Sequence, residues 1–300
     1  MDMTQNKCCR HGASLRRRRR RRRKILRSII FSCSIIAVAV FVAVGSRMIR
    51  SGDGRTNKYD VEAGNNTYDN AVIENSKISG KNKIQNNQSM LDDIMNSTQY
   101  PKQLKDLALK NEEALEFVYD YPAEHVKEHT IDLTEEASMD SVPLFVQWDK
   151  RWGYEKYSGN FFAASGCGPT TLSMVVVYLT HNREASPIAV AKYSKEAGYS
   201  VDGSGSSWTL ISEGCMHYGV KAKAVALDES RMKAELDEGH PIVVNVGPGD
   251  FTDTGHFMVI TGYDDEGFSI NDPNSIEKSG KRWLFRNISS QIRAVWSMYV

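Results

Sequence analysis

Residues 165–176 read SGCGPTTLSMVV, a cysteine set between two glycines in front of an apolar run. The run continues to Thr180, with Leu172, Val175, Val176 and Leu179 at helical spacing. Pro169 fits a first helical turn, where its missing N–H costs nothing. Cys167 therefore stands at a helix entrance, whereas a structural cysteine usually hides inside an apolar run. The positive end of the helix dipole and the free first-turn N–H groups favour a thiolate there. Gly166 and Gly168 leave room for another backbone to approach. A helix-capping cysteine without reactivity would have the same local sequence, so the partners decide.

A cysteine nucleophile needs a base, and the base needs a group that orients it. His125 and His129 lie in a polar stretch, His181 and His240 in loop-like positions, and His217 beside Cys215. His256 differs, because it opens the strand-like run HFMVIT after the glycine-containing loop GPGDFTDTG. Alternation places His256, Met258 and Ile260 on one face, a core-facing row that would meet a buried helix N-terminus. The next strand, GFSIND, ends at Asp272 and returns through YDDEG. Phe268, Ile270 and Asp272 share a face, so Asp272 is the expected acceptor for the imidazole N–H, ahead of Asn271. Gln147, in VPLFVQWD, reads either as a turn glutamine or as a side-chain donor to an oxyanion.

The order of elements fixes the class. CGPTTLSMVVVYLT, SPIAVAKYSKEAGY and SGSSWTLISEGCMHYG read as three helices, the second capped by Ser186 and started by Pro187. The runs KAKAVAL, PIVVNV, HFMVITGYD, GFSIND and RAVWSMYV read as strands. Helices first and strands later predict an α+β fold with an antiparallel sheet.

QWDKRWG, SGCGPTTLSMV, GHFMVITGYD and INDPNS, in that order, resemble the papain-like cysteine peptidases of the double-glycine leader-peptidase-like family, related to the domains that trim bacteriocin leaders. The likeness covers about residues 140–300. It implies a papain-like fold, with a helical part bearing the cysteine against a sheet bearing the histidine and aspartate. It implies Cys167 as nucleophile, His256 as base, Asp272 as its orienter and Gln147 in the oxyanion hole. The transporter-linked leader peptidases carry their glutamine shortly before the cysteine, where this chain has Phe161. Gln147 is thus an assignment from the extracellular branch. YPKQLKDLALKNEEALEFVYDYP, with Leu104, Leu107, Asn111, Ala114 or Leu115, and Val118 at helical spacing, is similar to the helical lead-in of secreted Gram-positive members. It reads as one brace helix closed by Pro122.

The N-terminus reads as an address. Twelve of the 38 basic residues but one of the 37 acidic ones fall in residues 1–27, which leaves an acidic body unsuited to nucleic acid. No charge occurs from Ser28 to Ser46, a length that with Ile25 and Leu26 crosses a bilayer. The arginine run stays cytoplasmic and the body lies outside. A cleaved signal peptide is the rival, against which stand the long apolar core and the poor site at Gly45-Ser46-Arg47. The expected organisation is a basic tail over 1–24, a signal anchor over 25–46, a disordered tether over 47–98, the brace over 99–139 and the peptidase domain over 140–300.

Of the five cysteines, Cys8, Cys9 and Cys33 precede or lie in the apolar segment, so Cys167 and Cys215 form no disulfide framework. No cofactor or metal is expected. Asp250 and Asp253 read as solvated loop acids or a calcium site, and Trp148, Trp152 and Trp208 as core or cleft wall. The expected function is extracytoplasmic hydrolysis of a peptide or protein substrate. The alternatives are a peptidoglycan-peptide hydrolase, an amide acyltransferase with the same triad, and a surface protein that binds peptides without cutting them.

Overall fold

The computed structural model describes residues 84–300. The basic tail, the proposed anchor and the first part of the tether lie outside the described residues. The tether expectation is corrected from residue 84 onward, because 84–96 form a helix, α1. Its Ile94 is fully buried, with Met90 and Leu91 packed beside it, apolar contacts that a short run after a polar stretch did not advertise.

The brace is not one helix. Helix α2 (Lys102–Lys110) stops at Asn111, whose backbone is extended at φ −136° and ψ 100°. The Asn111 side chain accepts from the Glu113 N–H at 3.0 Å and starts a separate turn, Glu112–Ala114. Two short helical pieces, Leu115–Tyr119 and Tyr121–Glu124, follow, and Pro122 sits in the first turn of the second rather than ending a helix. Asparagine competes for backbone groups and favours caps over helix interiors, which explains the break. The lead-in docks through Leu104, Leu107, Leu115, Phe117 and Val118 onto Phe161 and Ala163, just ahead of the cysteine.

Helix α3 (Cys167–Thr180) is buried on every side from Gly168 to Val177, not along the single stripe its spacing suggested. It lies between the sheet and the helix α4 (Pro187–Glu196), which starts at Ser186 as expected, the Ser186 hydroxyl accepting from the Ala189 N–H at 3.3 Å. A helix enclosed this way is apolar all round. The third predicted helix is shorter, a turn at Thr209–Ser212 and a 3₁₀ segment at Gly214–Tyr218.

The sheet has six strands, all paired antiparallel: β1 (Lys221–Ala224), β2 (Ile242–Val246), β3 (His256–Asp264), β4 (Gly267–Asn271), β5 (Arg282–Trp283) and β6 (Ile292–Tyr299), in the order β1-β6-β2-β3-β4-β5. One face, with Val243, Phe257, Val259 and Met298, packs on Leu172, Val175 and Val176 of α3. The other, with Val244, Met258, Ile260, Phe268 and Ile270, packs on Met232 of helix α5 (Glu229–Asp237). Alternation along each strand sends its apolar residues to both layers, which is why β2 is buried throughout.

Candidate active site

The α3 N-terminus and the start of β3 meet at one end of the sheet. Phe257 and Val259, not the row led by His256, face α3. The expectation that the His256 row packs on the helix is corrected. Met258 and Ile260 lie in the opposite layer, and His256 reaches the cysteine because it is the first residue of its strand.

Cys167 is half-buried, His256 is 6% exposed and Asp272 is fully buried. β3 and β4 pair with Ile260 opposite Ile270, which brings Asp272 diagonally across from His256. The His256 Nε2–H donates to Asp272 Oδ1 at 2.7 Å. That leaves Nδ1 for the thiol. The Asp272 oxygen also accepts the Asn274 N–H at 2.8 Å. Asn245, a lone polar residue in β2, donates its Nδ2–H to the His256 carbonyl at 3.2 Å and pins the backbone of that strand end.

Burial alone would push the Cys167 thiol up. A hydrogen bond from His256, its charge, and the N–H groups of Phe257 and Gly168 outweigh burial and hold the thiol below its ordinary value. Burial alone would lower His256, but the charge and hydrogen bond of Asp272, joined by those of Cys167, raise it to about 10. The two shifts describe one coupled thiolate–imidazolium pair. Cys215 is the contrast, since burial pushes its thiol up to about 11 without a basic partner. Both cysteines are free.

The glycines beside Cys167 serve the chain's own packing. A Cβ on Gly168 would lie 2.5 Å from Ser206 Oγ, and one on Gly166 would lie 2.6 Å from the Phe162 ring. The expected room for an approaching backbone is corrected at both positions, because Ser206 and Phe162 already fill it.

Gln147 is 4% exposed and lines the same cleft as Cys167 and His256. Its Nε2 donates to the Ala163 carbonyl at 2.7 Å and, at 3.4 Å, to Asn274 Oδ1. The cleft has a volume of about 490 Å³. Gln103, Asp106 and Lys110 of α2 line it together with the loop 249–255. That loop is bolted by Gln291, which accepts the Asp250 N–H at 2.7 Å and donates to the Asp250 carboxylate at 2.6 Å. Asp250 thus has a structural partner, and among the described residues no cluster of three metal-ligating side chains occurs. Trp152 is core, its Nε1–H bonded to the Val146 carbonyl at 2.9 Å. Trp148 donates to the Asn274 carbonyl at 3.2 Å, and Trp208 is 48% exposed against Trp296.

Sequence reasoning missed Asn245 and Asn274. Asn245 had a signal, a polar residue inside PIVVNV. Asn274 meets Gln147 and Trp148 from a distant segment, which local patterns do not encode.

No curated protein matches the chain. Among solved structures it is similar to the peptidase domain of Streptococcus ComA, a bi-functional ABC transporter involved in a quorum-sensing pathway. The identity is 19% over 53% of this chain and 96% of that one, with a TM-score of 0.39. It is also similar to a chain assigned as a C39-like peptidase from Bacillus anthracis, at 18% identity over 53% and 95% of the two chains and a TM-score of 0.33. Residues 139–300 match the model of the Peptidase_C39 like family. The helix bearing Cys167 against an antiparallel sheet bearing His256 and Asp272 is a papain-like α+β fold. That match takes in more than half of the chain, and the chain belongs to the C39-like peptidase family.

Proposed function

We propose that the chain is a cysteine peptidase in which Cys167 is the nucleophile, His256 the acid–base group and Asp272 its orienter. One observation carries the reading: the imidazole that holds the Cys167 thiol down is itself held by a buried carboxylate at 2.7 Å. The thiolate attacks the scissile carbonyl carbon, and the carbonyl π electrons move to oxygen. The Cys167 N–H, at the head of α3 without an i−4 partner, donates to that oxyanion. Gln147 supplies the second donor, through the Nε2 hydrogen that now makes the long contact with Asn274. The His256 imidazolium gives its proton to the leaving amine as the C–N bond breaks, which leaves a thioester. Neutral His256 then takes a proton from water, the hydroxide attacks the thioester, and the acid leaves as the thiolate–imidazolium pair returns.

The open cleft between α2 and the loop 249–255 suits an extended peptide or protein segment. The arginine run and the uncharged stretch after it support a membrane anchor with the peptidase outside the cell. Among the described residues no helix is long and apolar enough to cross a membrane, and the apolar stretch lies outside them.

Incubation with a mixed peptide library, read by mass spectrometry, tests the activity. Cleavage by the wild type that disappears in Cys167→Ala is expected. Cleavage that persists in Cys167→Ala contradicts the proposal.

A further inference from the structure

The family match begins at residue 139, yet two residues upstream of it grip the segment that carries Asp272. Glu113 and the 275–277 turn are separated by more than 160 residues in sequence. The Glu113 carboxylate accepts from the Ser275 hydroxyl and from the N–H groups of Ile276 and Glu277, the latter two at 2.8 and 3.1 Å. It therefore caps the short helix α6 (Ile276–Ser279) from outside. Charge-assisted bonds to helix-end N–H groups are the strong kind. Beside it, Asn111 Nδ2 donates to the Asn274 carbonyl at 2.9 Å and to Asn274 Oδ1 at 3.1 Å.

Asn274 is the link to the chemistry. Its own N–H donates to Asp272 Oδ1 at 2.8 Å, the same oxygen that takes the His256 Nε2–H. An unbroken path thus runs from Asn111 through Asn274 and Asp272 to His256. Asn111 also fixes Glu113 by accepting its N–H, so the break that ends α2 builds the clamp. Docking of the lead-in rests on the apolar cluster of Leu104, Leu115, Phe117 and Phe161, which the clamp residues do not join.

We propose that Glu113 and Asn111 are positioning residues of the active site, holding the Asp272 loop in register with His256 from outside the family domain. The proposal rests on the reading of Cys167, His256 and Asp272 as the reacting groups. It makes the lead-in a working part of the enzyme: α2 forms one cleft wall while the turn after it sets the carboxylate that orients the base.

The test uses the full chain in detergent with Glu113→Ala, Glu113→Gln and Asn111→Ala. Glu113→Ala is expected to lower kcat roughly tenfold with KM within about twofold, as a misplaced base would. The His256 titration, followed by imidazole NMR, is expected to fall by about one unit as the Asp272 carboxylate loosens. Glu113→Gln keeps one acceptor oxygen and should fall between, and it carries the test if the alanine variant does not fold. Wild-type kcat and an unmoved His256 titration in folded Glu113 variants overturn the proposal. If the wild type cuts nothing and Cys167 alkylates as an ordinary thiol, the peptidase reading fails. The His256 titration still decides the clamp, since it needs no substrate: a fall supports it and an unmoved value overturns it.

Discussion

His256 Nε2 lies 2.7 Å from Asp272 Oδ1, with the carboxylate fully buried and the ring 6% exposed. A carboxylate taken out of water is costly unless it is paired and hydrogen-bonded. Here the imidazole N–H and the Asn274 N–H share one oxygen. The aspartate is thus held as an acceptor, and it favours the charged form of the ring.

Asp272→Asn keeps the shape and removes the charge. The amide presents a donor or a weaker acceptor to Nε2 and no longer supports the imidazolium. We predict a fall in kcat of roughly 10³–10⁴-fold, the scale of losing the third member of such a triad. Steady-state peptide cleavage checks it.

The pH profile follows from the two shifts. Cys167 lies below its ordinary value, so the thiolate reaches to lower pH than a free thiol would and is lost as pH falls through that lowered range. His256 is raised to about 10, so the imidazolium persists through neutral pH and is lost as pH rises through that value. Activity should form a broad bell whose alkaline limb falls near 10. Both limbs belong to the pair rather than to either residue. Measurement of kcat/KM from acid to alkaline pH checks the limbs, and an alkaline fall near neutrality would contradict the ion pair.

Gln147→Ala separates two roles. Removing the donor to the buried Ala163 carbonyl costs about 1–2 kcal/mol of stability. Removing an oxyanion donor costs roughly 10²–10³-fold in kcat. We predict both, with a small drop in melting temperature and a large loss of turnover. A loss confined to stability would make Gln147 a structural pin alone.

Gly168→Ala should destabilise the chain by about 1–3 kcal/mol, the usual penalty for overpacking. The new methyl meets the Ser206 side chain at 2.5 Å. Ser206 also bonds the buried Tyr157 hydroxyl at 2.6 Å, so it cannot simply swing away. Thermal melting of the variant against wild type reads the effect. A smaller residue at 206, as in the double change with Ser206→Gly, should recover part of it.

The core of the site was legible because its signals are local. A cysteine before Pro169, a histidine opening an apolar strand and an aspartate closing the next one each declare a position through chain chemistry. The antiparallel pairing of the late strands followed from the same patterns, but not their order in the sheet or the short strand Arg282–Trp283. What stayed hidden depends on contacts across the fold. Alternation cannot say which of two buried faces meets α3, so the His256 row was placed on the wrong layer. Asn111 fitted the helical spacing of the lead-in, and only its bonds to Glu113 and Asn274 reveal a cap. Gly166 and Gly168 signalled space, but not that Phe162 and Ser206 occupy it.

The proposed chemistry requires Cys167 to be an ion-paired nucleophile. The direct measurement is the rate of iodoacetamide modification of Cys167 against pH in the full chain, resolved from the other cysteines by peptide mass spectrometry, in wild type and in His256→Ala. The thiol is expected to titrate well below about 8.5 in the wild type and to return toward that value without the imidazole. An ordinary thiol curve that His256→Ala leaves unchanged would contradict it.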